Sequence, residues 1–189
     1  MKILAHLCCA PCFTYPLLKL KEKGFEITGI FYNPNIHPYT EYIKRMDAAK
    51  LYADSININV LFPDKNNIFE SNGYEIEDFL ENASFAMKNG GKIARCKFCY
   101  ELRLKKIGIY AKKMSYEYFT TSLLVSPYQQ HIAIKEIAES IAKEIGMNFY
   151  YEDWRVGYKQ GRCISKEHNL YHQKYCGCIY SEKERYLNL

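Results

Sequence analysis

The sequence has no long hydrophobic run. A membrane-spanning helix needs about 20 consecutive apolar residues, and no such stretch occurs. The apolar run that opens the chain is interrupted by His6, so it is too short for the apolar core of a secretory signal. These absences predict a cytoplasmic protein without a membrane partner.

The common phosphate-binding loops are absent as well. Neither GxGxxG nor GxxxxGK followed by Ser or Thr is present. The net charge is +5 over 189 residues, with no run of basic residues like that of a nucleic-acid-binding tail. No internal repeat or low-complexity linker divides the chain. We therefore expect a single domain whose charge permits an anionic partner.

Short apolar stretches alternate with helical patterns as far as about residue 150. This alternation is typical of βαβ units and predicts one α/β domain over residues 1–189 with a mainly parallel sheet. Residues 151–189 are predicted to be a C-terminal extension that completes the candidate site. Residues 70–92 are expected to be helix and loop, and 165–168 have helical potential. Strands are predicted at 2–7, 25–32, 58–62, 147–151 and within 116–128, and helices at 11–24, 39–54, 100–114 and 134–145.

Cysteine is the residue type that carries chemistry. Seven of the eight cysteines fall into three groups. Cys163 lies outside them, and we expect it to be a small, half-buried hydrophobic residue. Thiols stay reduced in the cytoplasm, so the groups indicate metal or redox chemistry rather than structural disulfides. The groups are Cys8-Cys9-x-x-Cys12, Cys96-x-x-Cys99 and Cys176-x-Cys178.

The spacing leaves three interpretations open: a redox iron–sulfur site, one or two zinc sites, and dithiol chemistry without metal. Adjacent Cys8 and Cys9 point to opposite sides of an extended backbone, and so fit the separate corners of an iron–sulfur cluster more easily than one small ion. Both follow the first predicted strand, at the sheet edge where ligands bind. Cys9 and Cys12 also flank the start of the first helix, where free N–H groups favour anionic sulfur.

Six blocks of sequence, in this order, closely resemble the epoxyqueuosine reductases of the cobalamin-independent QueH type: HLCCAPC, YNPNIHPYTEY, RCKFCYELRL, FTTSLLVSPYQ, DWR and YHQKYCGC. The resemblance runs from Leu4 to about Ser181. It implies a Rossmann-like sheet of the adenine-nucleotide-hydrolase type. It also implies the last step of queuosine biosynthesis, a two-electron deoxygenation of epoxyqueuosine at the wobble position of a tRNA.

The resemblance implies roles for the cysteine groups. Cys8, Cys9, Cys96 and Cys99 match the positions that hold a 4Fe–4S cluster. Cys176 and Cys178 match a pair interpreted in the family either as a redox-active disulfide or, with position 12, as ligands of an adjacent mononuclear iron. Some members carry Asp at that position, and this chain has Cys12. A disulfide across one intervening residue is strained, so the dithiol that would have to form it is a poor reductant. This favours the metal role.

Further candidates follow from motif membership. The partners implied are a tRNA bearing epoxyqueuosine and an external one-electron donor such as ferredoxin or flavodoxin. His6 is the foremost candidate for proton transfer, with His37, His172, Tyr175 and Asp153 as further candidates. Contacts to phosphates or bases are predicted for Arg95, Arg103, Arg155 and Lys174, and stacking on a splayed-out base for Tyr32, Tyr39, Tyr128 and Tyr171.

The rival prediction is a zinc-stabilised RNA-binding module without redox activity. It accounts for the basic charge and for the Cys96-x-x-Cys99 pair. It does not account for adjacent cysteines at a strand end, or for two cysteines around Gly177.

Overall fold

Five short parallel strands form the sheet at the centre of the protein. The computed structural model describes residues 1–63 and 74–187, and within these residues the strand order is β3-β2-β1-β4-β5. All the pairings are parallel, so the predicted α/β class with a mainly parallel sheet is confirmed. The strands are β1 (Lys2–His6), β2 (Glu26–Ile30), β3 (Val60–Leu61), β4 (Tyr118–Thr121) and β5 (Asn148–Phe149).

Helices connect the strands as the hydrophobic spacing predicts. The helices whose bounds the structure gives are α1 (Ala10–Glu22), α2 (Tyr39–Ser55), α3 (Ile76–Lys113), α4 (His131–Ile145), α5 (Tyr158–Glu167) and α6 (Ile179–Tyr186). Short 3-10 turns occur at Ser122–Val125 and Trp154–Gly157. Gly146 ends α4 in the left-handed conformation, at φ 67°, as expected of a helix stop.

Helix α3 is longer than the sequence pattern predicts. It begins at Ile76 and includes both the uncertain region before residue 92 and the helix predicted from residue 100, with a kink at Gly91, where φ is 63°. Residues 70–73 of the uncertain region lie outside the described residues. No helix within the described ranges is both long and apolar enough to cross a membrane.

Strand β1 is the centre of the sheet and is hydrogen-bonded on both sides. Its Ile3, Leu4 and Ala5 are buried, as expected for a strand with helices on both faces. His6 ends the strand opposite Ile30 of β2 and Thr121 of β4. The three strands therefore end together, and the residues that follow them share one edge of the sheet.

The C-terminal extension packs against α1 through two glycines. Thr14 Oγ1 donates a hydrogen bond to the carbonyl oxygen of Gly161 at 3.0 Å. A Cβ atom built on Gly157 would overlap the buried ring of Tyr15. The close approach of α5 to α1 therefore requires the absence of a side chain at Gly157, and it fixes the extension beside the start of α1.

This contact predicts the effect of a single methyl group. Gly157→Ala should lower the free energy of unfolding by about 1–3 kcal/mol, because the new methyl group overpacks against Tyr15. In a Tyr15→Ala background the same change should cost less than about 0.5 kcal/mol, because the ring is gone. Urea denaturation of the four proteins measures both values, and equal costs in the two backgrounds would contradict the contact.

Candidate active site

The first cysteines lie where β1 and β4 end side by side. The connections run outward to β3 on one side of β1 and to β5 on the other, and ligands of open parallel sheets bind at such a reversal. The backbone N–H of Cys8 donates to Ser122 Oγ at 3.0 Å, and Ser122 Oγ donates to Cys8 Sγ at 3.2 Å. Cys8 is thus held by the first residue after β4.

Three thiols group at the start of α1. Cys9 is the N-cap of this helix, with an extended backbone at φ −169°. The sulfur atoms of Cys8, Cys9 and Cys12 all lie within 4.8 Å of one another, so this group can hold a metal ion. Hydrogen bonds from Cys12 and Cys9 hold the pKa of Cys8 below its usual value, whereas burial raises the pKa of Cys9. The group therefore favours a thiolate on Cys8.

The second group of thiols lies on α3. Cys96 is half-buried, and its Sγ lies 3.6 Å from Nη2 of Arg95. Cys99 is buried one turn later and packs with Phe79 and Cys178 in a small apolar cluster. Burial raises the pKa of Cys99 to about 12. Cys99 therefore faces the C-terminal extension, although the two segments are far apart in the sequence.

The third group contains one exposed and one buried thiol. Cys178 is buried, and its Sγ accepts a hydrogen bond from the backbone N–H of Ser181 at 3.4 Å as the N-cap of α6. Cys176 is exposed, and its Sγ lies 3.4 Å from the donor Nε2 of Gln129. Tyr100 donates to Oε1 of the same amide at 2.9 Å, which directs the Nε2 of Gln129 towards Cys176.

Arg45 of α2 holds the loop that leads to the third group. Its Nη1 donates to the carbonyl oxygen of Cys176 at 2.8 Å and its Nη2 to that of Tyr175 at 3.1 Å. Its Nε donates to Glu41 at 2.7 Å, and Glu41 also accepts from the hydroxyl of Tyr171 at 2.7 Å. A buried ion pair on α2 thereby fixes the backbone on the N-terminal side of the turn.

Gly177 allows this turn to fit against the loop before α2. Its φ is +147°, and an added Cβ would lie 2.9 Å from Asn35 Nδ2 and 3.3 Å from Arg45 Nη1. The backbone N–H of His37 donates to the carbonyl oxygen of Gly177 at 2.8 Å, and Tyr175 Oη donates to the carbonyl oxygen of His37. Glycine is required here by both backbone conformation and space.

Gln173 joins the extension to the first group of thiols. Its Nε2 donates to Cys9 Sγ at 2.8 Å and lies 3.6 Å from Cys12 Sγ. Its Oε1 is buried and has no hydrogen-bond partner among the described residues. The same segment that carries the third group therefore also contacts the first group.

Arg103 of α3 is electrostatically coupled to all three groups. Burial alone would lower the pKa of its guanidinium, but Cys99, Cys176 and Cys8 together raise that pKa above its ordinary value. These thiols belong to three different groups. Contacts also join the groups, because Gln173 donates to Cys9 and Cys178 packs with Cys99. Cys163 is exposed on α5 rather than half-buried as expected, and it belongs to none of the groups.

Proximity in the structure and the division implied by the resemblance are not the same. Cys12, a predicted ligand of the second iron, lies with Cys8 and Cys9, which are predicted cluster ligands. Cys178, another predicted ligand of the second iron, packs with Cys99. The two predicted sets of ligands therefore intermingle in one region of the protein, the cysteine region.

His6 is fully hydrogen-bonded in the interior. Its Nδ1 lies 2.9 Å from Thr121 Oγ1, and its Nε2 lies 3.1 Å from the Tyr32 carbonyl oxygen and 3.2 Å from Asn33 Oδ1. Burial, and then the charge of Arg103, lowers the pKa of His6 to about 4. A neutral imidazole with both nitrogens engaged links three strand ends, and this does not support the predicted role of His6 in proton transfer.

The other candidates for proton transfer differ in their surroundings. Nδ1 of His37 is buried without a partner among the described residues, beside the Gly177 turn. His172 Nε2 lies 3.1 Å from Ser165 Oγ, and burial lowers the pKa of this imidazole. Hydrogen bonds from Arg155 lower the pKa of Asp153 to about 2, so this carboxyl group is ionised at neutral pH.

The predicted RNA contacts divide into exposed and buried side chains. Tyr32 is fully buried, with its hydroxyl donating to Glu75, and Arg95 and Arg103 are buried as well. These three side chains present almost no exposed surface to a base or a phosphate in this structure, and their contacts to RNA stay predictions. The exposed candidates are Tyr39, Tyr128, Tyr171, Arg155 and Lys174.

Several residues that contact the cysteine groups were not predicted from the sequence. For Arg45 a signal was available: Glu41 precedes it by four positions, and both adjoin the apolar positions Tyr42 and Met46 of α2. Such a pair on the inner side of a helix indicates a buried ion pair. The two glutamines at positions 129 and 173 lie in loops, where no spacing marks them.

Comparisons with known proteins identify the family of this chain. A family model described as Epoxyqueuosine reductase QueH matches residues 3–184. The Epoxyqueuosine reductase QueH of Dehalococcoides mccartyi is 37% identical over 98% of this chain and 94% of its own. The proteins of the same name from Thermotoga maritima and Helicobacter pylori are 32% and 35% identical, over 97% and 96% of this chain and 91% and 49% of their own. Among solved structures, teicoplanin deacetylase Orf2 in its zinc-inhibited form has a TM-score of 0.42 at 10% identity, over 79% of this chain and 66% of its own. The match of the family model over nearly the whole length shows that this chain belongs to the Epoxyqueuosine reductase QueH family.

Proposed function

We propose that this protein reduces epoxyqueuosine in tRNA to queuosine in the cytoplasm. The observation that carries the proposal is the contact between three cysteine groups near the strand-order reversal, in a chain of this family. Epoxide removal takes up two electrons and two protons, breaks both C–O bonds and releases the oxygen as water. The alternative, a zinc-stabilised RNA-binding module, is not favoured, because the family is one of reductases.

The proposed ligands of a 4Fe–4S cluster are Cys8, Cys9, Cys96 and Cys99. Such a cluster transfers one electron at a time when bound. The surroundings fit it, because all the donors are soft thiol sulfurs. They also fit because the buried Nη2 of Arg103 has no partner among the described residues, so an anionic group can accept its hydrogen bond. An external one-electron donor, such as ferredoxin or flavodoxin, supplies the electrons.

A second metal is proposed on the substrate side of the cysteine region, held by Cys12, Cys176 and Cys178. Cys176 is exposed, as a group that meets the substrate must be. Its backbone is held by Arg45 and its sulfur faces the amide of Gln129. These contacts fix the position of Cys176 before the substrate binds. Less conformational entropy is therefore lost on binding.

An exposed aromatic surface beside the cysteine region is proposed to bind the anticodon. Tyr128 is 81% exposed and directly precedes Gln129, whose amide reaches Cys176. The ring centroids of Tyr128 and Tyr158 are 6.0 Å apart and the ring planes meet at 84°. This T-shaped contact supports Tyr128 and leaves a face of its ring for a base. Arg155 and Lys174 are exposed cations suited to backbone phosphates.

The direct test is turnover by protein purified without oxygen. Incubation with reductant and epoxyqueuosine-containing tRNA should yield queuosine, measured by mass spectrometry of the digested nucleosides. Absence of product with iron-loaded protein would contradict the function, as would a colourless protein that retains only zinc.

The cluster ligands can be tested one by one. Each of Cys8, Cys9, Cys96 and Cys99 changed to Ala should lose most of the bound iron and sulfide, because a cluster corner loses its thiolate. Cys163→Ser is the matched control and should keep both, since this exposed cysteine belongs to none of the groups. Chemical analysis of iron and sulfide decides, and full cluster content in Cys96→Ala would refute the assignment.

The second metal predicts two different outcomes within one set of thiols. Cys12→Asp should keep the cluster spectrum and much of the activity, because carboxylate and thiolate are both anionic ligands. Cys176→Ala should keep the spectrum but lose turnover. Spectra and turnover are measured on the same oxygen-free samples. An inactive Cys12→Asp protein with a Cys176–Cys178 disulfide formed during turnover would instead support the dithiol mechanism.

The aromatic surface predicts a binding defect rather than a chemical one. Tyr128→Ala should raise KM for the tRNA about tenfold with little change in kcat, because stacking contributes about 1–3 kcal/mol per base. Tyr128→Phe should behave as wild type, since it keeps the ring. Tyr186→Ala removes another exposed tyrosine as a control. A fall in kcat without a change in KM would place Tyr128 outside RNA binding.

A further inference from the structure

Arg103 is a buried cation whose hydrogen bonds are incomplete. Its side chain is 2% exposed, deep beside the thiols. Its Nε donates to the carbonyl oxygen of Cys99 at 3.0 Å. Its Nη2 is also buried and has no hydrogen-bond partner among the described residues. A guanidinium does not release its proton in a protein, so the charge remains.

The two other buried arginines near the thiols are compensated differently. Arg45 is paired with Glu41 at 2.7 Å, and Arg95 with Glu184 at 2.8 Å. No such carboxylate pairs with Arg103 within residues 1–63 and 74–187. A buried charge without a counter-charge destabilises a fold, so another anion is needed beside Arg103.

The anions available are the thiol sulfurs. Arg103 follows Cys99 by one turn of α3 and donates to its carbonyl oxygen at 3.0 Å. A thiol that binds a metal does so as a thiolate, so each bound cysteine carries a negative charge. Metal loading therefore supplies the counter-charge that the fold itself leaves out.

We propose that Arg103 is a positioning residue whose buried charge is balanced by the metal-bound thiolates beside it. The inference rests on the proposed function, which supplies the bound metal. Arg103 then destabilises the metal-free protein and stabilises the loaded one.

The test compares thermal unfolding of metal-free and loaded protein. Arg103→Met should raise the midpoint of the metal-free protein by about 2–4 °C, because an unbalanced charge is removed. The same change should reduce the rise in midpoint that loading produces in wild type. Arg103→Lys keeps the charge and should restore most of that rise.

Arg45→Met is the matched control, a buried arginine that already has its carboxylate. It should lower the midpoint of both the metal-free and the loaded protein, because it leaves Glu41 buried and unpaired. If Arg103→Met lowers the metal-free midpoint as Arg45→Met does, Arg103 has an ordinary structural role and the inference is overturned.

A second measurement uses only the loaded protein. Iron loss to a chelator should be about tenfold faster in Arg103→Met than in wild type, in line with other residues that support metal ligands. An unchanged rate would also overturn the inference. The metal content of wild type reports separately on the proposed function. If wild type carries zinc in place of iron and sulfide, the reductase proposal fails, and the same ratio of metal-loss rates, measured with zinc, still decides the role of Arg103.

Discussion

The parallel pairing of β1 with β4 determines where the first cysteines of this protein lie. His6 and Thr121 face each other at the end of that pair, and the next residues of the two strands bring Cys8 within hydrogen-bond distance of Ser122. The strand order reverses at this pair, which is where ligands of open parallel sheets bind. Helix α3 and the C-terminal extension carry the other two cysteine groups.

The loop between α5 and α6 is held in place by buried polar contacts. Arg45 grips two carbonyl oxygens before Gly177, and Gln173 reaches the sulfur atoms at the start of α1. Buried hydrogen bonds of this kind are costly to leave unpaired, so they specify one position of the loop. The arrangement explains how the loop between α5 and α6, which has no helix or strand of its own, presents Cys176 at a fixed place.

Local patterns were sufficient for the fold, but not for exposure at the site. Helix α4 and strand β1 follow from the spacing of apolar residues, which can be read directly in the sequence. Motif membership placed Tyr32 and Arg103 near the chemistry, but could not tell an interior side chain from a surface one. The Arg45–Cys176 contact spans 131 positions, and no periodicity encodes such a contact.

The three cysteine groups together are proposed to hold an iron–sulfur group in the cysteine region. The most direct measurement is the content of iron, acid-labile sulfide and zinc per chain in wild-type protein purified without oxygen, combined with Mössbauer spectroscopy. The account predicts about four iron and four sulfide per chain in cluster form, with additional iron in a distinct environment. A protein with stoichiometric zinc and no sulfide would contradict it.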